Sequence, residues 1–164
     1  MASKLYRLKL GSISHGTMRP RDLLPALIDA SKTVRLSDQD RRSVQEIERD
    51  FRSWWEIEDW TNNQTHHAEM VIEQLFDTLD NYVPAYTYLG SHEGDGSDYG
   101  VWIDWPAIED SIHDGDINKG PHYINAKYSK APYWLQVNDH GNSTLFRKIQ
   151  RGSGWVWHEE WSVV

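Results

Sequence analysis

The sequence predicts an α+β fold, with an antiparallel sheet of about four to six strands and two or three helices packed on one face. Three observations lead there. Between about residues 20 and 82, apolar side chains recur at helical spacing; between about 85 and 164, they alternate as in strands. Two strong turn signals, Asn-Asp-His-Gly-Asn at 138–142 and Gln-Arg-Gly-Ser-Gly at 150–154, separate three runs of strand-like composition. A chain of 164 residues with nine Trp and eight Tyr can bury one sizeable core, which makes a single domain over 1–164 the simplest organisation.

Each element has its own signal. Lys4–Leu10 sets Leu5, Arg7 and Lys9 against Tyr6, Leu8 and Leu10, the alternation of a short strand. Gly11–Pro20 reads as a loop. Asp22 can cap a helix over Leu23–Ser31, with Pro25 tolerated in a first turn that has no internal acceptor for its missing N–H. Ser37 and Asp40 form a variant capping box for a second helix, whose Val44, Ile47, Phe51, Trp54 and Trp55 make one apolar face. Asn62 and Asn63 mark a break, and Thr65 caps a third helix with Ala68, Val71, Ile72, Leu75 and Leu79 on its stripe, ending near Asn81 before Pro84. The second and third helices are expected as an antiparallel pair. Ala85–Leu89 and Tyr99–Asp104 read as strands around a glycine-rich loop at Gly90–Ser97. Trp105–Ile112 reads as one or two helical turns begun by Pro106, and His113–Lys130 as irregular. Strands follow at Tyr133–Val137, Thr144–Ile149 and Trp155–Trp161, the last with Trp155, Trp157, Glu159 and Trp161 on one face.

Charge is distributed unevenly. Residues 53–118 contain fifteen Asp or Glu and no Lys or Arg, whereas 1–52 hold eleven basic and seven acidic residues and 119–164 hold six and three. The net charge of −8 therefore hides one anionic segment between two cationic ones. This balance argues against direct binding of nucleic acid, which needs Lys and Arg at its phosphates, and allows a basic protein partner, a bound cation or only solubility. With no cysteine, disulfides and thiolate chemistry are excluded. The first ten residues lack an apolar run of signal-peptide length, and no stretch approaches the roughly 18 apolar residues of a membrane span. The expectation is a soluble cytoplasmic protein without membrane contact.

Residues Gly90–Gly100 gather His92, Glu93, Asp95 and Asp98 among glycines, a composition that suits either a functional loop or a hairpin turn whose Asp side chains bond its own amides. The ligand rhythm of a calcium hand and the spacing of a zinc site are both missing, so no metal or other cofactor is expected. Asp139 next to His140 suggests an oriented general base, although Asn138–Asn142 also has the residues a hairpin turn requires. Ser12, Ser14 and His15 offer a nucleophile and a base without the surrounding elbow motif. His66 and His67 read as solvated, and His113–Asp116 as loop. A small metal-dependent or hydrolytic enzyme centred on His92, Asp95, Asp98, Asp139 and His140 is thus one alternative. An assembly module built on exposed Trp faces is another.

The preferred reading is an acidic binding surface. Glu56, Glu58 and Asp59 with Glu69, Glu73, Asp77 and Asp80 would come from the second and third helices, and Glu93, Asp95 and Asp98 from the loop. Tyr99, Trp102 and Trp105 would be apolar anchors beside them.

Three stretches carry a resemblance: LGSISHGTMRPRDLLPALIDA at 10–30, YLGSHEGDGSDYGVWID at 88–104 and VNDHGNSTLF at 137–146. Together they resemble a recurring family of small proteins of bacteriophages, prophages and other mobile elements. Residues Trp155–Val164 extend past the matching stretch. The resemblance implies a setting in the bacterial host cytoplasm and no activity for particular residues. Small acidic phage proteins are often similar in role to anti-CRISPR or anti-restriction inhibitors. Setting and charge together lead to the expectation of a binder that occupies the basic, nucleic-acid-binding surface of a host defence complex.

Overall fold

The computed structural model of the chain describes residues 7–122 and 129–164. The fold is α+β, as the change of periodicity predicts, with the described strands divided between a three-stranded and a four-stranded sheet. Contacts separate two units, Met1–Ile103 and Asp104–Val164, so the division falls after the first sheet and not between a helical and a β portion. No helix among the described residues is long and apolar enough to cross a membrane.

The first described residues are tied to the end of the third helix: the Leu8 amide donates to Tyr82 O at 2.8 Å and Arg7 Nη1 to Val83 O at 2.8 Å. The expected strand at 4–10 is not formed over 7–10, and residues 4–6 lie outside the described ones. The ladder starts instead at β1 (Gly11–Ser14), inside the expected loop. The cause lies across the sheet, where Gly100 faces the Gly11–Ser12 backbone. A Cβ at Gly100 would sit 2.2 Å from Gly11 O, so only glycine lets the two strands approach.

Helix α1 (Pro20–Ser31) starts earlier than expected, because Pro20 occupies the first helical position where a missing N–H costs nothing. Asp22 is not its cap. Its carboxylate accepts from Thr17 Oγ1 at 2.8 Å and Arg19 Nε at 3.0 Å. Pro25 therefore sits in the helix interior, which continues through it. Helix α2 (Asp38–Phe51) is capped by Ser37 as expected, its Oγ accepting from the Asp40 amide at 3.1 Å. The Tyr82 hydroxyl completes the box, accepting from the Ser37 amide and donating to Asp40 Oδ2. A 3-10 turn at Arg52–Trp54 follows.

Helix α3 (Asn62–Asp80) begins at the two asparagines read as a break, because Thr61 and Gln64 form a full capping box that outcompetes Thr65. All five predicted stripe residues of α3 are buried. Its main packing partner is α1, and α2 contributes less, so the expected α2–α3 pair is the lesser contact. Phe51 anchors an aromatic cluster in which Trp54 stands edge-on at 4.6 Å and His67 lies stacked at 5.3 Å. His67 is exposed, as expected, with one ring face stacked on Phe51.

After a turn in which Tyr86 takes a left-handed φ of 59°, β2 (Thr87–His92) and β3 (Asp95–Ile103) pair antiparallel, giving sheet order β1-β3-β2. The expected loop at Gly90–Ser97 is therefore strand on both sides of a two-residue turn, Glu93-Gly94. Val101 joins the helices' core, with Leu89 and Tyr99 packed beside it.

The second unit opens with α4 (Trp105–Asp114), capped by Asp104, whose Oδ1 accepts from the Ala107 amide at 3.0 Å. His113 and Asp114 belong to its last turn and Gly115, at φ 85°, closes it in the left-handed cap position, which corrects the loop expected there. β4 (Ile117–Gly120) lies within the segment read as irregular, pairing parallel to β5 (Tyr133–Val137). β6 (Ser143–Arg151) and β7 (Gly154–Val163) complete an antiparallel series in order β4-β5-β6-β7.

A bulge reshapes the last strand. Leu145 pairs with Trp161 but Phe146 pairs with Glu159, leaving Glu160 as the extra residue. This one-residue shift moves Trp161 to the opposite face from Trp155 and Trp157. Trp161 is 4 % exposed and Trp155 62 %, so the predicted one-sided aromatic ladder is split. Glu160 forms an ion pair with Arg147 at 2.6 Å, at the bulge.

Candidate functional site

Ten of the fifteen acidic residues of 53–118 form three local arrangements in the first unit, and the other five, Asp104, Glu109, Asp110, Asp114 and Asp116, lie in or beside α4 of the second unit. The first arrangement is a stripe on α3. Glu69, Glu73, Asp77 and Asp80 are all exposed, and their spacing of four, four and three residues places them within one arc of about 80° at 3.6 residues per turn. The buried stripe of Ala68, Val71, Ile72, Leu75 and Leu79 occupies the far side. Along the axis the acidic stripe runs about 16 Å, at roughly 1.5 Å per residue. Among the described residues, Glu73, Asp77 and Asp80 form no ion pair with Lys or Arg, and Glu69 has only His66, 3.6 Å away. The last turn of α3 carries no basic residue, so Asp77 and Asp80 face the negative end of the helix dipole.

The second arrangement is the segment before α3. Glu56, Glu58 and Asp59 are exposed in the link between the 3-10 turn and Thr61, and not on α2 as expected, because the helix has already tightened and ended at Trp54. Arg21 Nη1 from α1 donates to Glu58 O, so one guanidinium from the amino-terminal third does fold back onto the acidic segment.

The third is the β2–β3 hairpin, which carries Glu93, Asp95 and Asp98 on strands and a tight turn where a loop was expected. Asp95 Oδ1 accepts from the Ser97 amide at 2.9 Å and its hydroxyl at 2.7 Å. These two bonds, led by the hydroxyl, hold the Asp95 carboxyl below the usual carboxylate range. His92 Nδ1 accepts from the Gly94 amide at 3.0 Å, and its ring stands edge-on to Trp102 at 4.6 Å. Glu93 is exposed in the turn itself. The hairpin thus satisfies its own backbone. Among the described residues no three of His, Asp or Glu converge as a metal site would require.

Asp98 departs furthest from its expected role as an exposed contact. Its side chain is 16 % exposed, and its Oδ2 lies 3.3 Å from His15 Nδ1, while the His15 side chain is 67 % exposed. A carboxylate behind one imidazole nitrogen, with the rest of the ring open, is the geometry of an oriented base. Asp98 Oδ1 is buried with no hydrogen-bond partner among the described residues. Sequence reasoning named both residues without joining them, because eighty-three positions separate them and only the β1–β3 pairing brings them together.

The aromatic anchors are also redistributed. Tyr99 lies 5.9 Å from Phe76 on the core side of the sheet. Trp102 is half-buried, its Nε1 donating to Gly90 O at 3.0 Å. Trp105 belongs to the second unit and is exposed, edge-on to Trp161 at 6.2 Å. Asp139 and His140, also in the second unit, sit in a hairpin turn closed by Asn138, whose Oδ1 accepts from the amides of His140 and Asn142. The Asn-Asp-His-Gly-Asn stretch is explained by turn geometry, with Gly141 at φ 84°.

Comparison of the chain with protein-family models, with curated proteins and with solved structures returned no match.

Proposed function

We propose that this chain is a stoichiometric protein binder that uses the exposed face of α3 to occupy a basic, nucleic-acid-binding surface. The observation that carries the reading is the α3 stripe: four carboxylates on one arc, with no Lys or Arg of the described residues in ion-pair contact. Like charges three and four residues apart destabilise a helix, and two of these lie where the helix dipole opposes them as well. A fold gains nothing in stability from that arrangement, whereas a cationic partner relieves it on binding. The exposed Glu56, Glu58 and Asp59 precede the helix and extend the acidic surface in the chain.

With the resemblance to mobile-element proteins, the partner is a host defence complex whose nucleic-acid channel the stripe blocks, in the cytoplasm of a bacterial cell. Direct binding of nucleic acid by this face is opposed by its charge. The test is capture of the partner at low ionic strength. Binding falls steeply as salt is raised, and Glu73→Lys with Asp77→Lys abolishes capture while Asp98→Asn leaves it intact. Salt-insensitive capture, or capture unaffected by the double reversal, removes the proposal.

The His15–Asp98 pair favours a second reading, a hydrolytic activity with His15 as general base. Under it, Asp98→Asn abolishes turnover of the substrate and the α3 reversals do not.

A further inference from the structure

The acidic surface leaves one feature unused. A cavity of about 560 Å³ opens between the carboxy-terminal end of α1 and the face of α2, within the first unit. Its size lies in the range of small-molecule sites, roughly 300–1,000 Å³. Its character is opposite to that of the stripe. Val34, Leu36 and Val44 supply apolar lining, and Lys32, Arg35 and Arg41 surround it with positive charge.

We propose that this cavity binds a small amphiphile with an apolar body and a single anionic head, a carboxylate or a phosphate monoester. Val44 is buried and Val34 and Leu36 are half-buried, so the apolar part has a wall that a polar ligand would not use. The cations differ in availability. Lys32 Nζ is held by Asp29 Oδ1 at 2.8 Å and by Glu48 Oε1 at 3.0 Å, which accounts for the one carboxylate of the lining. Arg41 is paired with Asp38 one turn earlier. Arg35 is exposed and forms no ion pair among the described residues, so its guanidinium is the group left to clamp a head through two parallel N–H donors.

The end of α1 would otherwise repel an anion, but its last carbonyls are covered from within. Ser31 Oγ donates to Ile28 O, and both the amide and the hydroxyl of Thr33 donate to Ala30 O. What remains is an apolar recess whose rim carries one cation without an ion pair among the described residues, Arg35. That guanidinium selects against cationic ligands, and the apolar lining selects against small inorganic anions.

The test is isothermal titration of the full chain with decanoate, decyl phosphate, decanol and decyltrimethylammonium, each below its aggregation concentration. The expected result is saturable one-to-one binding of an anionic ligand and none of decanol or the cation. Preference between decanoate and decyl phosphate identifies the head group. Arg35→Ala, on the surface and outside the core, weakens binding about tenfold or more, the loss of one charge-assisted contact. Leu36→Trp, which fills the recess, abolishes binding in a protein whose circular dichroism is unchanged. Equal binding of decanol, binding unaffected by Arg35→Ala, or absence of binding by both anions each overturns the proposal.

Discussion

Charge reversal at Glu73 separates a surface kept for solubility from one kept for a partner. Glu73 sits at the centre of the α3 stripe, with Glu69 four residues before it and Asp77 four residues after. Each such like-charge pair destabilises a helix by about 0.2–0.5 kcal/mol, and an opposite-charge pair stabilises it by a similar amount. Glu73→Lys converts both pairs at once, and Lys and Glu have nearly equal helix propensity, so the expected gain is about 1 kcal/mol. For a unit of this size that corresponds to a rise of roughly 4 °C in Tm. The gain shrinks as salt screens the exposed charges. Thermal melts followed by circular dichroism at low and high ionic strength measure it. Partner capture by the same variant falls, because a lysine now meets a cationic surface. The combination of a more stable protein and a weaker binder is the signature. An unchanged Tm at low salt would mean the carboxylates are already neutralised, and a raised Tm with undiminished capture would place the interface elsewhere.

Three further outcomes follow from the packing. Tyr82→Phe removes the hydroxyl that, followed by Ser37, holds the Asp40 carboxyl below its ordinary range; that contribution is fully present above the unfolded value near pH 4 and is lost as pH falls through the lower folded value, so the Tm deficit of the variant is largest at neutral pH and narrows in acid to the part left by the lost Ser37 amide bond. Gly100→Ala forces β1 away from β3, since the clash is with the Gly11 backbone and no rotamer relieves it, and destabilises by about 1–3 kcal/mol in chemical denaturation. Trp161→Ala costs about 3–5 kcal/mol whereas Trp155→Ala changes stability by less than about 0.5 kcal/mol, and equal costs would contradict the bulge at Glu160.

What the sequence revealed divides along the range of the interactions. The buried faces of α2 and α3 and the positions of β5, β6 and β7 were legible because periodicity and turn residues are local signals. Helix starts were shifted where two caps competed, as at Thr61 and Thr65, since either threonine is an acceptable cap until the reciprocal bond from Gln64 decides. β1 was missed because its strand character comes from Gly100, a remote residue that allows close approach, and GSIS alone resembles a turn. Trp161 was assigned to the wrong face because strict alternation holds only while register holds, and the extra residue in β7 is invisible without its partner β6. At the candidate site, the α3 stripe was readable from spacing, but the pairing of His15 with Asp98 and the inward turn of Tyr99 depend on the sheet.

The pairing of four carboxylates on α1 and α2 contrasts with the stripe on α3. Asp22, Asp29, Asp38 and Glu48 each lie within ion-pair distance of a Lys or Arg, three of them at a spacing of three residues along the chain. The helices α1 and α2 thus mix their charges at short range, as a surface under selection only for solubility and stability does. On α3 the same chain places four carboxylates on one arc with, among the described residues, no Lys or Arg in ion-pair contact, and leaves the carboxy-terminal turn without a cation. Neighbouring lysines would lower the repulsion without disturbing the buried side, so the fold itself does not require their absence. The proposed docking of a cationic surface on α3 accounts for that absence, and the Glu73→Lys variant tests the proposal directly.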